Sequence, residues 1–335
     1  MSPLIPTVVL LLGAAAVIYL ACEFFVNGVE WVGRKLSVGS TATGTILAAF
    51  GTALPESVVT FVAVAFGGTH AQKDIGVGAA LGGPLVLSTI AYAVVGIVLL
   101  ATRQPLRAGP ELQRQFKRLS RDQGWFLGIF AVKIGLGLVT FAYKPWLGAG
   151  FLAAYGLYFW KEMRATDDGD IEEIEPLKLT PGRTEPSTAM ALVQTALALV
   201  VIFAASRVFV SQLDALGPAL GLKPQLLALL LSPIATELPE TMNAIIWVRQ
   251  GKHRLALANI SGAMMIQATV PTAFGLFWTP WILDRPLLLG AAVTMVAVGA
   301  MFLAFRRGMI SRRMLAAMGA LYLVFAGLLL ALRLG

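Results

Sequence analysis

Apolar residues recur along this chain in runs of roughly 18–25 positions, each long enough as a helix to cross about 30 Å of hydrocarbon. Short clusters of charge, glycine and proline separate them. Ten spans can be drawn, near 5–27, 42–66, 76–100, 123–142, 146–163, 189–212, 224–248, 255–278, 286–305 and 311–333. The pattern therefore predicts an all-α polytopic membrane protein. No basic stretch precedes the first apolar run, so that run is expected to be a retained helix and not a cleaved signal. One connection is long and polar. It covers about 164–188, carries Asp167, Asp168, Asp170, Glu172, Glu173 and Glu175, and is closed by Pro176, Pro181 and Pro186. A flexible acidic linker is expected there, between a first half at 1–163 and a second at 189–335.

Composition strengthens this picture. Hydrophobic residues make up 57% of the 335 positions and charged residues 13%, about half the share usual in soluble domains. Mean hydropathy is +0.78. The net charge of +8 does not point to nucleic acid, because the basic residues sit in the short connections. Nineteen of the 26 fall on one side of the ten-span arrangement, among them Arg34, Lys35, Arg103, Arg114, Lys161, Arg249, Arg254, Arg306 and Arg313. Basic loops mark the cytoplasmic face. The linker is thus expected inside a cell or inner membrane, with both termini outside. Cys22 is the only cysteine, which excludes an intrachain disulfide. His70 and His253 are expected in solvated loops.

Candidate chemistry lies in the acidic residues inside apolar runs. Gly51-Thr52-Ala53-Leu54-Pro55-Glu56 has a counterpart in Ala235-Thr236-Glu237-Leu238-Pro239-Glu240. A carboxylate at bilayer depth costs at least a few kcal/mol and marks function by default. Laid over one another without a gap, 21–61 and 205–245 also match at Ala21/Ala205, Phe25/Phe209, Val26/Val210, Gly33/Gly217 and Leu36/Leu220. The first helix of each half enters from the opposite side, so the halves read as inverted five-helix repeats, a plan of secondary transporters. Pro55 and Pro239 have no N–H to give, which frees the carbonyls of Gly51 and Ala235. Thr52 and Thr236 precede their glutamates by four positions and share their helical face. Carboxylate, carbonyl and hydroxyl oxygens are what a hard cation takes.

With EFFVNGVEWVGRKLSVGSTATGTILAAFGTALPE in the first half and TELPE in the second, the chain resembles the calcium/cation antiporter superfamily, whose sodium/calcium exchanger members carry two inverted repeats with a GTSLPE-like motif. The resemblance spans most of both halves. It implies ten helices, alternating access, Glu56 and Glu240 as central ion ligands, and oxygens from Thr52 and Thr236. It also implies calcium as the transported ion, exchanged for sodium or protons. The chain departs from the family pattern at Ala53 and Glu237, where a serine is usual. It departs again after each motif, where a GN..GSN-like run is expected. Gly78-Ala79-Ala80-Leu81-Gly82-Gly83-Pro84 has neither asparagine, and Ala258-Asn259-Ile260-Ser261-Gly262-Ala263-Met264 keeps only Asn259. Fewer neutral oxygens and one added carboxylate leave sodium and proton coupling both open.

The candidate cation ligands are thus Glu56, Glu240, Glu237, Thr52, Thr236, Gly51, Ala235, Asn259 and Asn243. Thr60 and Gln267 are weaker candidates, and Ser232 and Pro233 extend the unwound stretch. The Gly82-Gly83 and Gly262-Ala263 pairs are expected to permit close helix packing. Glu23 and Arg207, aligned across the repeat, are expected to pair. No resident cofactor is expected, only transported cations and a surrounding bilayer; a monomer is compatible with the sequence, which leaves the oligomeric state open. HExxH and GxSxG motifs are absent, so an enzyme is not expected. The alternatives are an exchanger for another cation, and a channel or transport-inactive protein on the same scaffold.

Overall fold

A computed structural model describes residues 4–35, 48–106, 110–164, 175–183 and 185–332. It is all-helical over those residues, as the apolar periodicity predicts. The helices are α1 (Leu4–Lys35), α2 (Ala48–Phe66), α3 (His70–Ala101), α4 (Pro110–Gly137), α5 (Leu147–Arg164), α6 (Thr188–Leu220), α7 (Pro224–Thr236), α8 (Leu238–Arg249), α9 (His253–Trp278), α10 (Arg285–Arg307) and α11 (Arg312–Ala331). Because α7 and α8 are two pieces of one interrupted run, these make ten spans. Six of the helices are long and apolar enough to cross a membrane.

The boundaries shift from those expected. α1 and α6 run about eight residues past their apolar stretches, and α4 starts at Pro110 and ends at Gly137. Apolar runs mark the hydrocarbon, whereas the backbone ladder continues into polar ends. Local signals fix several starts. Thr69, Ser187, Asp284 and Ser311 accept from Gln72 N, Met190 N, Leu287 N and Met314 N at 3.1–3.2 Å, capping α3, α6, α10 and α11. His70 and His253 are the first residues of helices, where loops are expected; His253 Nε2 lies 2.6 Å from Gln104 Oε1.

Helices α2, α3, α7 and α9 form the centre, with α3 packed on α7 and α2 on α9. Over its most apolar 18 residues α9 is 78% buried, against 28% for α1 and for α6. Those two helices pack on each other and turn Val9, Leu12, Leu197 and Val200 outward, a surface suited to lipid. The remaining helices flank the centre, with α4 on α10 and α11 on the second half of α3. Gly78 and Gly82 let α3 lie directly on the backbone of α7 at Gln225 and Leu229, where any Cβ would collide.

The register of α1 on α6 corrects one expectation. Asn27 Oδ1 accepts from Gln194 Nε2 at 2.9 Å, and Trp31 packs with Ala191, while Leu11 and Ile18 cluster with Phe209 and Leu213. The helices are therefore antiparallel. Four residues back from Asn27, Glu23 faces the level of about residue 198, so Arg207 stands roughly 13 Å further along at ~1.5 Å per residue. Glu23 instead pairs with Lys178 at 3.3 Å, and the Arg207 guanidinium lies over the Phe66 ring at 5.9 Å.

The acidic stretch 165–174 is outside the described residues, but the connection that follows is not the loose tether expected. Leu177 is fully buried. Asn27 Nδ2 donates to Glu175 O at 3.1 Å, Trp31 Nε1 donates to Glu175 O at 2.9 Å, and Lys178 N donates to Asn27 Oδ1 at 3.0 Å. Leu179 N donates to Gln194 Oε1 at 2.8 Å. One side chain thus ties the strap to both α1 and α6. Losing it leaves buried backbone groups unpaired at about 1–3 kcal/mol. Asn27→Ala is expected to speed tryptic cleavage at Lys178 and Arg183 by about tenfold or more. Equal cleavage rates would show that the strap is held by other means.

Candidate functional site

Each copy of the Leu-Pro-Glu motif sits in the central layer, but the two are built differently. α2 continues through Pro55, whereas the second copy is interrupted at Glu237 (φ −98°, ψ 0°) between α7 and α8. A single proline deletes one ladder bond without ending a helix. The second copy has Pro233 and Pro239 flanking the break. Glu237 N still donates to Pro233 O at 2.9 Å, and its side chain turns across to α9.

The three motif glutamates are all buried: Glu56 and Glu237 are 1% exposed and Glu240 0%. Glu56 is close enough to interact with each of the other two, and the carboxyls of Glu56 and Glu237 stand within hydrogen-bonding reach. Their surroundings separate their roles. Glu237 is engaged on both oxygens, with Thr236 Oγ1 at 3.0 Å on Oε1 and Gln267 Nε2 at 2.8 Å on Oε2. Thr236 Oγ1 also lies 3.3 Å from Ser232 O. One hydroxyl proton cannot serve both, and the shorter bond to a carboxylate is the stronger. Glu56, by contrast, has no hydrogen-bond donor on either oxygen among the described residues. Its carboxylate rests against the bare backbone of Gly83 on α3.

Of the other buried side-chain polar atoms without a partner among the described residues, several lie on the same elements. They are Thr60 Oγ1 on α2, Ser232 Oγ on α7, and Gln267 Oε1 and the amide of Asn259 on α9. Native proteins rarely leave such groups unpaired, at about 1–3 kcal/mol each, without a functional reason. Asn243 is only half-buried, on α8 beyond Glu240. The freed carbonyl of Gly51 is not fully open, since Cys22 Sγ–H donates to it at 3.6 Å. The side chains of Thr52 and Ala235 lie outside the described residues. No three His, Cys, Asp or Glu side chains meet in a metal-ligating cluster among the described residues. The arrangement suits a mixed site in which carboxylates share a hard cation with hydroxyl, amide and carbonyl oxygens.

One contributor escapes the motif-based reading: Gly83, expected only to permit close helix packing, seats the Glu56 carboxylate. Gln267, a weaker candidate by sequence, clamps Glu237. Lys133, on α4, is fully buried one backbone away from both.

Residues 6–161 and 190–331 match the family described as sodium/calcium exchanger protein. The chain belongs to this family. Among its relatives, a putative antiporter, CaxA, from Alkalimonas amylolytica is 26% identical over 288 residues, covering 84% of this chain and 83% of that protein. The inner membrane protein YrbG of Escherichia coli (strain K12) is 25% identical over 295 residues, covering 84% and 82%. Among solved structures, the H+/Ca2+ exchanger CAX superposes with a TM-score of 0.66 at 16% identity, over 98% of this chain and 88% of that one. The sodium-calcium exchanger NCX_Mj, soaked with Na+ and Sr2+, gives 0.61 at 19% identity, over 97% and 98%. These likenesses show a shared membrane-transporter fold. Like them, this exchanger-family chain is an integral membrane protein.

Proposed function

We propose that this chain is a secondary active cation antiporter that exchanges Ca2+ for Na+ or H+. One observation carries the reading: a buried glutamate, Glu56, meets no hydrogen-bond donor on either oxygen among the described residues while facing two more carboxylates across the central layer. A carboxylate in apolar surroundings is tolerated when a cation or proton repays its desolvation. Glu56 and Glu240 act as the charged ligands, with Asn259, Thr60 and the motif threonines supplying neutral oxygens. Glu237, clamped by Thr236 and Gln267, tunes the charge of the site. Alternating access follows from inverted halves that rock about this centre, with the linker cytoplasmic and both termini outside. CaxA, CAX and NCX_Mj support the reading, as a putative antiporter and two exchangers in name.

The test is calcium-45 uptake into proteoliposomes with an imposed sodium or pH gradient. Uptake driven by one gradient at least fivefold above the no-gradient rate is expected, and it identifies the coupling ion. Equal flux with and without either gradient would make the protein a channel and overturn the proposal.

A further inference from the structure

Lys133 has no place in the site described so far. It is 0% exposed on a helix inside the apolar layer. Burying an ammonium costs several kcal/mol unless nearby groups repay it. No carboxylate forms an ion pair with it among the described residues, and the Phe130 and Trp281 rings lie 5.2 and 5.8 Å from Nζ. What holds Nζ is a pair of main-chain oxygens: Ala80 O at 2.7 Å and Gln267 O at 3.3 Å.

Those two carbonyls are not arbitrary. In a helix each would accept from the N–H four residues on. For Ala80 that residue is Pro84, and for Gln267 it is Pro271. Both helical donors are missing by sequence, so α3 and α9 each turn one open carbonyl toward the same point. A π-turn at Leu87–Ala91 begins three residues after Pro84. Two proline-freed carbonyls on facing helices are hard-cation ligands, the kind of oxygens that hold monovalent ions in transporters built on broken helices.

The point they define adjoins the carboxylate centre. Ala80 is one turn from Gly83, on which Glu56 rests, and the side chain of Gln267 clamps Glu237. We propose that the Lys133 ammonium is a tethered cation occupying a monovalent-ion site made by the Ala80 and Gln267 carbonyls. It thereby reduces by one the number of mobile monovalent ions needed to balance the glutamates. This deepens the antiporter reading and rests on it for its consequence in transport. The site itself can be tested without calcium.

The experiment is equilibrium binding of sodium-22 at pH 8 to purified wild type, Lys133→Ala and Lys133→Arg in nanodiscs. Lys133→Ala uncovers both carbonyls and is expected to bind one more Na+ per chain than wild type, while Lys133→Arg binds the same number. A monodisperse Lys133→Ala that binds no additional Na+ overturns the proposal, leaving Lys133 as a strut between α3 and α9. Lys133→Gln, close in shape, serves as the second variant. Reversal potentials in proteoliposomes are expected to give one more monovalent ion per calcium for Lys133→Gln than for wild type, and equal values overturn the proposal. Absence of calcium flux from wild type would defeat the antiporter reading but would not alter the sodium count.

Discussion

Glu56→Gln is expected to lower calcium uptake at least about 100-fold while leaving the protein folded and no less heat-resistant, since ligand charge sets cation affinity over decades. The two halves of that result have one cause. Both carboxylate oxygens of Glu56 are buried with no donor among the described residues, so in the resting fold the charge is a liability. An amide of the same shape relieves most of the desolvation. It also removes the negative charge on which a divalent ion depends. A residue that matters only for folding would show the opposite pair, with lower stability and transport in proportion. The measurement joins calcium-45 uptake in proteoliposomes with thermal melting of the purified protein. Uptake within about threefold of wild type would remove Glu56 from the site.

That Glu56 could be found at all follows from how membrane sequences are written. Apolar runs report the spans directly, because every residue facing lipid must be apolar, and a carboxylate in such a run stands out. The same logic placed Glu237 and Glu240. It did not separate their roles, because these depend on contacts across the fold: Gln267 reaches Glu237 from thirty residues away. Pairing Glu23 with Arg207 failed for a related reason. Alignment within a repeat says nothing about depth in the layer, and antiparallel packing sets those two residues far apart. Composition does not foretell how the end of the linker is held. Its prolines suggested an extended tether, but Leu177 and the backbone from Glu175 to Leu179 found partners in Asn27, Trp31 and Gln194. Lys133 is the instructive omission. The rule that singled out Pro55 and Pro239 applies equally to Pro84 and Pro271, and a lysine within an apolar span is as conspicuous as a glutamate. What was missing was the knowledge that the two freed carbonyls face one another.

Gly83→Ala is expected to weaken calcium binding by at least about tenfold, through a single added methyl group. The position shows why a glycine stands one residue before Pro84. A Cβ there would overlap both carboxylate oxygens of Glu56. Neither partner can give way easily, since α3 is fixed by its close contact with α7, and the Glu56 side chain is enclosed on all sides. Overpacking of this kind costs about 1–3 kcal/mol, against roughly 1 kcal/mol gained from replacing glycine by alanine in a helix. Stability therefore falls by no more than about 2 kcal/mol, while the carboxylate is displaced from its seat. Gly128→Ala on α4, where an added Cβ meets nothing within 4 Å, is the neutral control. Combining Gly83→Ala with Glu56→Asp, whose side chain is one methylene shorter, is expected to recover part of the lost binding. Calcium-45 binding to the purified variants decides the matter. If Gly83→Ala binds as wild type does, the Glu56 carboxylate does not sit against α3 when the ion is held, and the site must form around a different rotamer.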